Sequence, residues 1–186
     1  VGLEVSPKDD LVLSASVDST VRLWDVRSDA CAGLLKLQHE NGRPCVAFDD
    51  GGMVFAVLVD GGKVALFDVK KYDIGAFATF HFDNPDTAKA TSVKFSSDGN
   101  FILLSGGSDK VFIVGSFHGP LLQVCKCSTP NTIVNDACLT PDSKYVIGGT
   151  STGGMLVWPV VVEPEDRKNK DAFRRTEVVD KELANY

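Results

Sequence analysis

The residues best able to ligate a metal or attack an electrophile are five cysteines, Cys31, Cys45, Cys125, Cys127 and Cys138, and three histidines, His39, His81 and His118. Their spacing argues against both uses. Cys125-Lys126-Cys127 is the one close pair, and it falls one residue short of the C-x-x-C spacing of redox and zinc sites. In an extended strand these two thiols share a face about 7 Å apart, which is packing geometry. No histidine is spaced with a second ligand. An odd number of scattered cysteines in a chain long enough for its own core reads as reduced thiols packed as small hydrophobes, as in cytosolic or nuclear proteins. The glycine pairs at 51–52, 61–62, 106–107, 148–149 and 153–154 sit at expected turns, and none opens a helix as a phosphate-cradling loop must. The paired carboxylates Asp9-Asp10 and Asp49-Asp50 read as turn caps. No catalytic residue, metal ligand set or cofactor is expected.

The elements around these residues are more informative. The chain has 186 residues, 44% of them apolar, enough for a domain with its own core. With 19 basic and 25 acidic residues the net charge is −6, a poor basis for gripping nucleic acid. No run of 18 apolar residues marks a membrane span, and the N-terminal residues do not read as a signal or transit peptide.

A pattern recurs four times. Turns at Ser6-Pro7-Lys8-Asp9-Asp10, Phe48-Asp49-Asp50-Gly51-Gly52, Ser96-Ser97-Asp98-Gly99 and Thr140-Pro141-Asp142-Ser143 each feed an apolar run, beginning at Leu11, Met53, Phe101 and Tyr145. Those starts lie 42, 48 and 44 residues apart. A second apolar strand follows in each copy and ends at Trp24, Phe67, Val114 or Trp158, anchors spaced 43, 47 and 44 residues apart. A period of about 40–45 residues with a Trp-Asp dipeptide, here Trp24-Asp25, is the signature of WD-repeat blades, four-stranded antiparallel sheets of a β-propeller. The expected fold is therefore all-β, with about four blades over residues 1–162 and no helix within them. Strands are predicted at 1–5, 11–16, 20–25 and 33–37; at 44–48, 53–59, 63–68 and 76–81; at 91–95, 101–105, 110–114 and 121–126; and at 133–139, 145–150 and 154–158, with 160–162 a candidate fourth strand of the last blade. From residue 163 to 186 the pattern stops. Thirteen of those 24 residues are charged, which reads as a disordered or docked tail.

The first copy is similar to WD repeats in finer detail. In that family a turn Asp, a Ser or Thr and a Trp form a hydrogen-bonded tetrad with an upstream His; Ser14, Asp18 and Trp24 match three of these positions.

Taken in order, Ser6-Pro7-Lys8-Asp9-Asp10, Ser19 through Ser28, Cys31-Ala32-Gly33-Leu34, Phe77-Ala78-Thr79-Phe80, Lys94 through Gly99 and Thr140-Pro141-Asp142-Ser143 resemble one WD-repeat family. It is the small WD-repeat subunit shared by COMPASS-type histone H3 lysine methyltransferase complexes and by transcription termination, mRNA 3′-end processing and phosphatase machinery. The resemblance implies a seven-bladed ring, of which this chain would hold about four blades, and a nuclear, non-catalytic scaffold that binds protein partners. It implies neither direct nucleic-acid nor membrane binding. Candidate contact loops lie at His39 to Arg43, at Phe82 to Lys89, and around Lys63 and Lys110. A WD-repeat adaptor of another system, such as a ubiquitin-ligase substrate receptor, is the alternative. An arc with open ends is expected either to self-associate or to be poorly soluble, because it leaves apolar faces and strand edges bare.

Overall fold

The computed structural model describes residues 2–28, 30–37, 43–59, 62–82, 84–116 and 119–162. Fifteen strands form four antiparallel sheets joined in simple meander order. Blade one holds β1 (Gly2–Val5), β2 (Leu11–Ala15), β3 (Thr20–Asp25) and β4 (Cys31–Lys36). Blade two holds β5 (Cys45–Phe48), β6 (Val54–Val59), β7 (Lys63–Asp68) and β8 (Ala78–His81). Blade three holds β9 (Ser92–Phe95), β10 (Phe101–Ser105), β11 (Lys110–Gly115) and β12 (Leu121–Lys126), and blade four β13 (Val134–Leu139), β14 (Tyr145–Thr150) and β15 (Met155–Pro159). This is the all-β blade architecture expected of a WD-repeat propeller.

The repeat is tighter in space than in sequence. Val12 pairs with Trp24, Phe55 with Phe67, Ile102 with Val114 and Val146 with Trp158, so equivalent pairs recur at 43, 47 and 44 residues. The sequence alignment set the second copy one residue early. Ser6, Asp49, Ser96 and Thr140 are the equivalent turn positions, and each side chain caps its own turn. Asp49 accepts from the Met53 and Val54 amides at 2.8 and 2.7 Å. Ser96 Oγ accepts from the Phe101 amide at 2.9 Å, and Thr140 Oγ1 from the Tyr145 amide at 3.1 Å. A hydroxyl or carboxylate serves equally because the turn needs only an acceptor aimed at the next strand's first amide.

The innermost strands β1, β5, β9 and β13 lie side by side in chain order, and three apolar layers fill the spaces between consecutive blades. Phe55 stacks on Phe67 at 5.1 Å in the layer between blades one and two. Phe112 is buried between blades two and three, and Phe101 between three and four. Polar ties run between blades as well: Ser92 and Lys94 of β9 donate to Asp136 of β13 at 2.8 and 2.6 Å.

Three expectations are corrected. The last blade has three strands, because Pro159 offers no N–H for pairing and the following segment turns back over the apolar layer. There Val160 and Val162 pack against that layer, and the Gln123 side chain takes the place of a strand neighbour, donating to the Pro159 carbonyl at 2.9 Å and accepting from the Val161 amide at 2.8 Å. Two single 3₁₀ turns, Tyr72–Ile74 and Thr87–Lys89, also occur where no helix was expected. The first docks by its Tyr72 hydroxyl on the Ala32 carbonyl at 3.0 Å; the second is closed by Thr87 Oγ1 donating to the Asn84 carbonyl at 2.6 Å. Most strand ends fall within a residue of their expected places. The larger shifts are β4, which begins two residues early, and β8, which begins two residues late. The tail at 163–186 lies outside the described residues.

Candidate protein-interaction face

Because strands alternate in direction and the inner strands run alike, every second-to-third strand turn and every blade-to-blade connection opens on one end of the blades. The remaining turns open on the other end. The first end carries Arg43 before β5, Lys63 at the start of β7, Lys110 at the start of β11, and also Lys89 and Lys126. The opposite end carries Asp9, Asp10, Asp49, Asp50, Asp98 and Asp142 in the turns. The first end also carries Asp18, Asp86 and Asp109, and the opposite end Lys8, Arg27, Lys70, Lys71 and Lys144, so both ends mix charges. The sequence reading placed the acidic pairs in turns, and laying the blades in register puts those turns at one end.

The four loop residues singled out from sequence fare differently. Arg43 is exposed, Lys63 and Lys110 are half-buried, and His39 lies outside the described residues. Lys110 donates to Asp86 at 2.5 Å, and Lys89 donates to the other oxygen of the same carboxylate at 2.9 Å. Bonds from Lys110 first and Lys89 second pull the Asp86 carboxyl down from 3.8 to about 2 and push Lys110 up. Lys110 thus ties the β8–β9 connection to blade three, while Arg43 and Lys63 make no ion pair among the described residues.

Glycine permits this loop to pack so closely. Gly106 and Gly107 have φ of +93° and +73°, and a Cβ on either would lie 2.1 Å from Thr91 Oγ1 or 2.2 Å from the Lys89 carbonyl oxygen. Beside Lys110 a shallow cleft of about 430 Å³ is lined by Asp109, Lys126, Cys127 and the 128–131 turn. Sequence reasoning did not find it, because its walls come from a turn and a blade-to-blade connection about 18 residues apart. Burial pushes the neighbouring Cys125 thiol up to about 11, so it stays protonated and unreactive, and Cys127 is buried too. Among the described residues no group of three His, Cys, Asp or Glu side chains converges on a point that could hold a metal ion.

Of the first-copy set, Trp24 Nε1 donates to Ser14 Oγ at 2.9 Å. Asp18 accepts from the Thr20 hydroxyl at 2.6 Å, the Thr20 amide at 3.0 Å and Arg22 at 3.3 Å, which lowers its pKa chiefly through the Thr20 hydroxyl. The turn carboxylate and the Trp–Ser pair are separate hydrogen-bonded groups among the described residues. Gly33 also gains a physical reason: a Cβ there would lie 2.4 Å from the Tyr72 ring, so only glycine lets the 3₁₀ turn dock on β4.

Blades in register, a Trp–Ser bond across the second and third strands, and loops gathered at two ends define a propeller of the WD class. The family described as WD domain, G-beta repeat, matches residues 1–25 and 78–114. The chain is a WD-repeat protein. It is 39% identical over 160 residues to the protein ANTHESIS POMOTING FACTOR 1 of Arabidopsis thaliana, covering 86% of this chain and 47% of that protein. It is 38% identical over 160 residues to WD repeat-containing protein 82 of Drosophila melanogaster, covering 85% and 49%. With Set1 complex component swd2 of Schizosaccharomyces pombe it shares 37% identity over 154 residues, covering 77% and 42%. The chain thus spans about half the length of these relatives, and it resembles the Set1-complex branch of the WD-repeat proteins.

Proposed function

We propose that this chain is a non-catalytic scaffold within a nuclear complex that methylates lysine on histone H3, its blades belonging to a longer propeller ring. A role in transcription termination and mRNA 3′-end processing belongs to the same reading. The observation that carries it is the 37% identity with a Set1 complex component along 77% of the chain. The mechanism is recognition. Packed blades hold the loops at the Arg43 and Lys63 end rigid, Arg43 and Lys63 present charge to a partner protein, and the enzyme is another subunit. Ser14, Asp18 and Trp24 belong to the folding of the first blade in this reading and have no role at the partner surface.

Affinity purification of the tagged chain from nuclear extract tests it. Recovery of histone H3 methyltransferase activity is expected, and Arg43→Glu with Lys63→Glu is expected to reduce that recovery without shifting the melting temperature. Ubiquitin-ligase components recovered without methyltransferase or 3′-end processing subunits would replace this reading with the adaptor alternative.

A further inference from the structure

Serine or threonine precedes proline three times in the chain, at Ser6-Pro7, Thr129-Pro130 and Thr140-Pro141. The three hydroxyls have different settings. Ser6 is buried, and its Oγ accepts from the Lys8 and Asp9 amides at 3.4 and 3.2 Å. Thr140 is half-buried; its hydroxyl donates to Asp142 at 2.6 Å and accepts from the Tyr145 amide at 3.1 Å. Both side chains close the turn that starts a blade's second strand, so neither hydroxyl leaves without opening its turn. Thr129 lies instead in the connection between β12 and β13, where Ser128, Thr129, Pro130 and Asn131 form a continuous exposed run. Its carbonyl accepts from Cys127 Sγ at 3.7 Å, but its hydroxyl has no hydrogen-bond partner among the described residues. The run is anchored at both ends, by the Cys127 amide on the Asp109 carbonyl at 2.8 Å and by buried Thr132, whose hydroxyl donates to the Pro130 carbonyl at 3.4 Å. It sits between blades three and four, well inside the chain.

We propose that Thr129 is a phosphorylation site for a proline-directed protein kinase. Such a kinase needs an accessible hydroxyl on an extended residue followed by proline. Proline itself biases the residue before it to the extended region, and Pro130 with Asn131, at φ +56°, then turns the chain away. The kinase moves the γ-phosphoryl group of ATP onto Thr129 Oγ1. The bond from the γ-phosphorus to the bridging oxygen breaks, a new Oγ1–P bond forms, ADP leaves with the electron pair, and the hydroxyl proton passes to the kinase's catalytic carboxylate. The product brings close to two negative charges to a cleft that holds one amine and one carboxylate, Lys126 and Asp109. Those two are loosely paired, at 3.9 Å, and the Lys126 side chain is 67% exposed. Lys126 is therefore free to turn from Asp109 to the phosphate, which offsets the repulsion between the phosphate and Asp109. Phosphorylation thus turns a balanced cleft acidic, on the end of the blades that also carries Arg43 and Lys63.

Incubation of the purified 186-residue chain with a mitogen-activated protein kinase and Mg-ATP tests the proposal, with phosphate on each site followed in time by mass spectrometry. Synthetic peptides spanning the three dipeptides measure what the same kinase takes from sequence alone, so the ratio of native rate to peptide rate isolates the effect of the fold. The ratio at Thr129 is expected to exceed those at Ser6 and Thr140 by about tenfold or more, because the latter hydroxyls must first leave their turns. Thr129→Ser is expected to keep the modification and Thr129→Ala to lose it, with near-UV circular dichroism checking that each variant is folded. Phosphorylation is expected to lower the melting temperature more in Lys126→Ala than in wild type, and equal shifts would overturn the role given to Lys126. Three results would overturn the site itself: a native chain that takes no phosphate at Thr129, a Thr129 peptide that the kinase does not take, or equal ratios at all three positions. None of these outcomes bears on recovery of methyltransferase activity, so the two readings fail independently.

Discussion

Blades two and three are built differently from blades one and four. The middle strands Val54–Val59 and Phe101–Ser105 are buried nearly throughout, and their sequences, Val-Phe-Ala-Val-Leu-Val and Phe-Ile-Leu-Leu-Ser, are almost unbroken apolar runs. The corresponding strands of the outer blades, Leu11–Ala15 and Tyr145–Thr150, alternate in burial and include Ser14, Gly148 and Gly149. A sheet covered on both faces selects apolar residues at every position, whereas a sheet covered on one face selects them at every second position.

The widest test of that contrast is truncation of a side chain on each kind of face. Phe101→Ala, between blades three and four, is expected to cost about 3–5 kcal/mol by urea unfolding. Met155→Ala, at a largely exposed side chain of blade four, is expected to stay within about 0.5 kcal/mol. Similar losses at both sites would break the contrast. A smaller effect probes the loop of a middle blade: Gly107→Ala forces an alanine to φ near +73° against the Lys89 carbonyl, an expected loss of about 1–3 kcal/mol. Equivalent turns in the outer blades are open, and a Cβ on Gly153 meets nothing within 4 Å. Gly153→Ala should therefore show only the backbone part of that penalty.

In blade one, Trp24→Phe keeps most of the ring but removes the bond to Ser14, and about 0.5–1.5 kcal/mol is expected, toward the low end for so exposed a pair. The smallest effect concerns pH. Asp86 is held at about 2 in the folded chain against 3.8 ordinarily, so its stabilising bonds are fully present above 3.8 and are lost as pH falls toward 2. Asp86→Asn is expected to flatten the melting temperature over that window, and an unchanged acid slope would show that Lys110 and Lys89 contribute nothing there.

Much of this architecture is legible in the chain because it is local. A Ser, Thr or Asp that caps a turn, followed by an apolar run and a second run ending in a large residue, reports a blade wherever it occurs. The expected bounds of β3, β7, β10, β12 and β14 match the structure to the residue for that reason. The candidate site was legible only in part. Lys63 and Lys110 could be assigned to one end of the blades, but nothing near Lys110 in sequence announces Asp86, 24 residues away. The fourth strand expected at 160–162 failed for a related reason: three valines read as a strand, yet Pro159 and the Gln123 side chain redirect them over the layer beneath.

The sequence by itself determined the number of repeats, their period and the direction in which each strand runs, because hydrophobic alternation and turn capping act over a few residues. Only the tertiary structure decided the one-residue register of the second copy, the docking of Tyr72 on Gly33 and the tie from Lys110 to Asp86. Each of these depends on which side chains meet across blades tens of residues apart, and a packed interface, unlike a turn, has no signature in either partner alone.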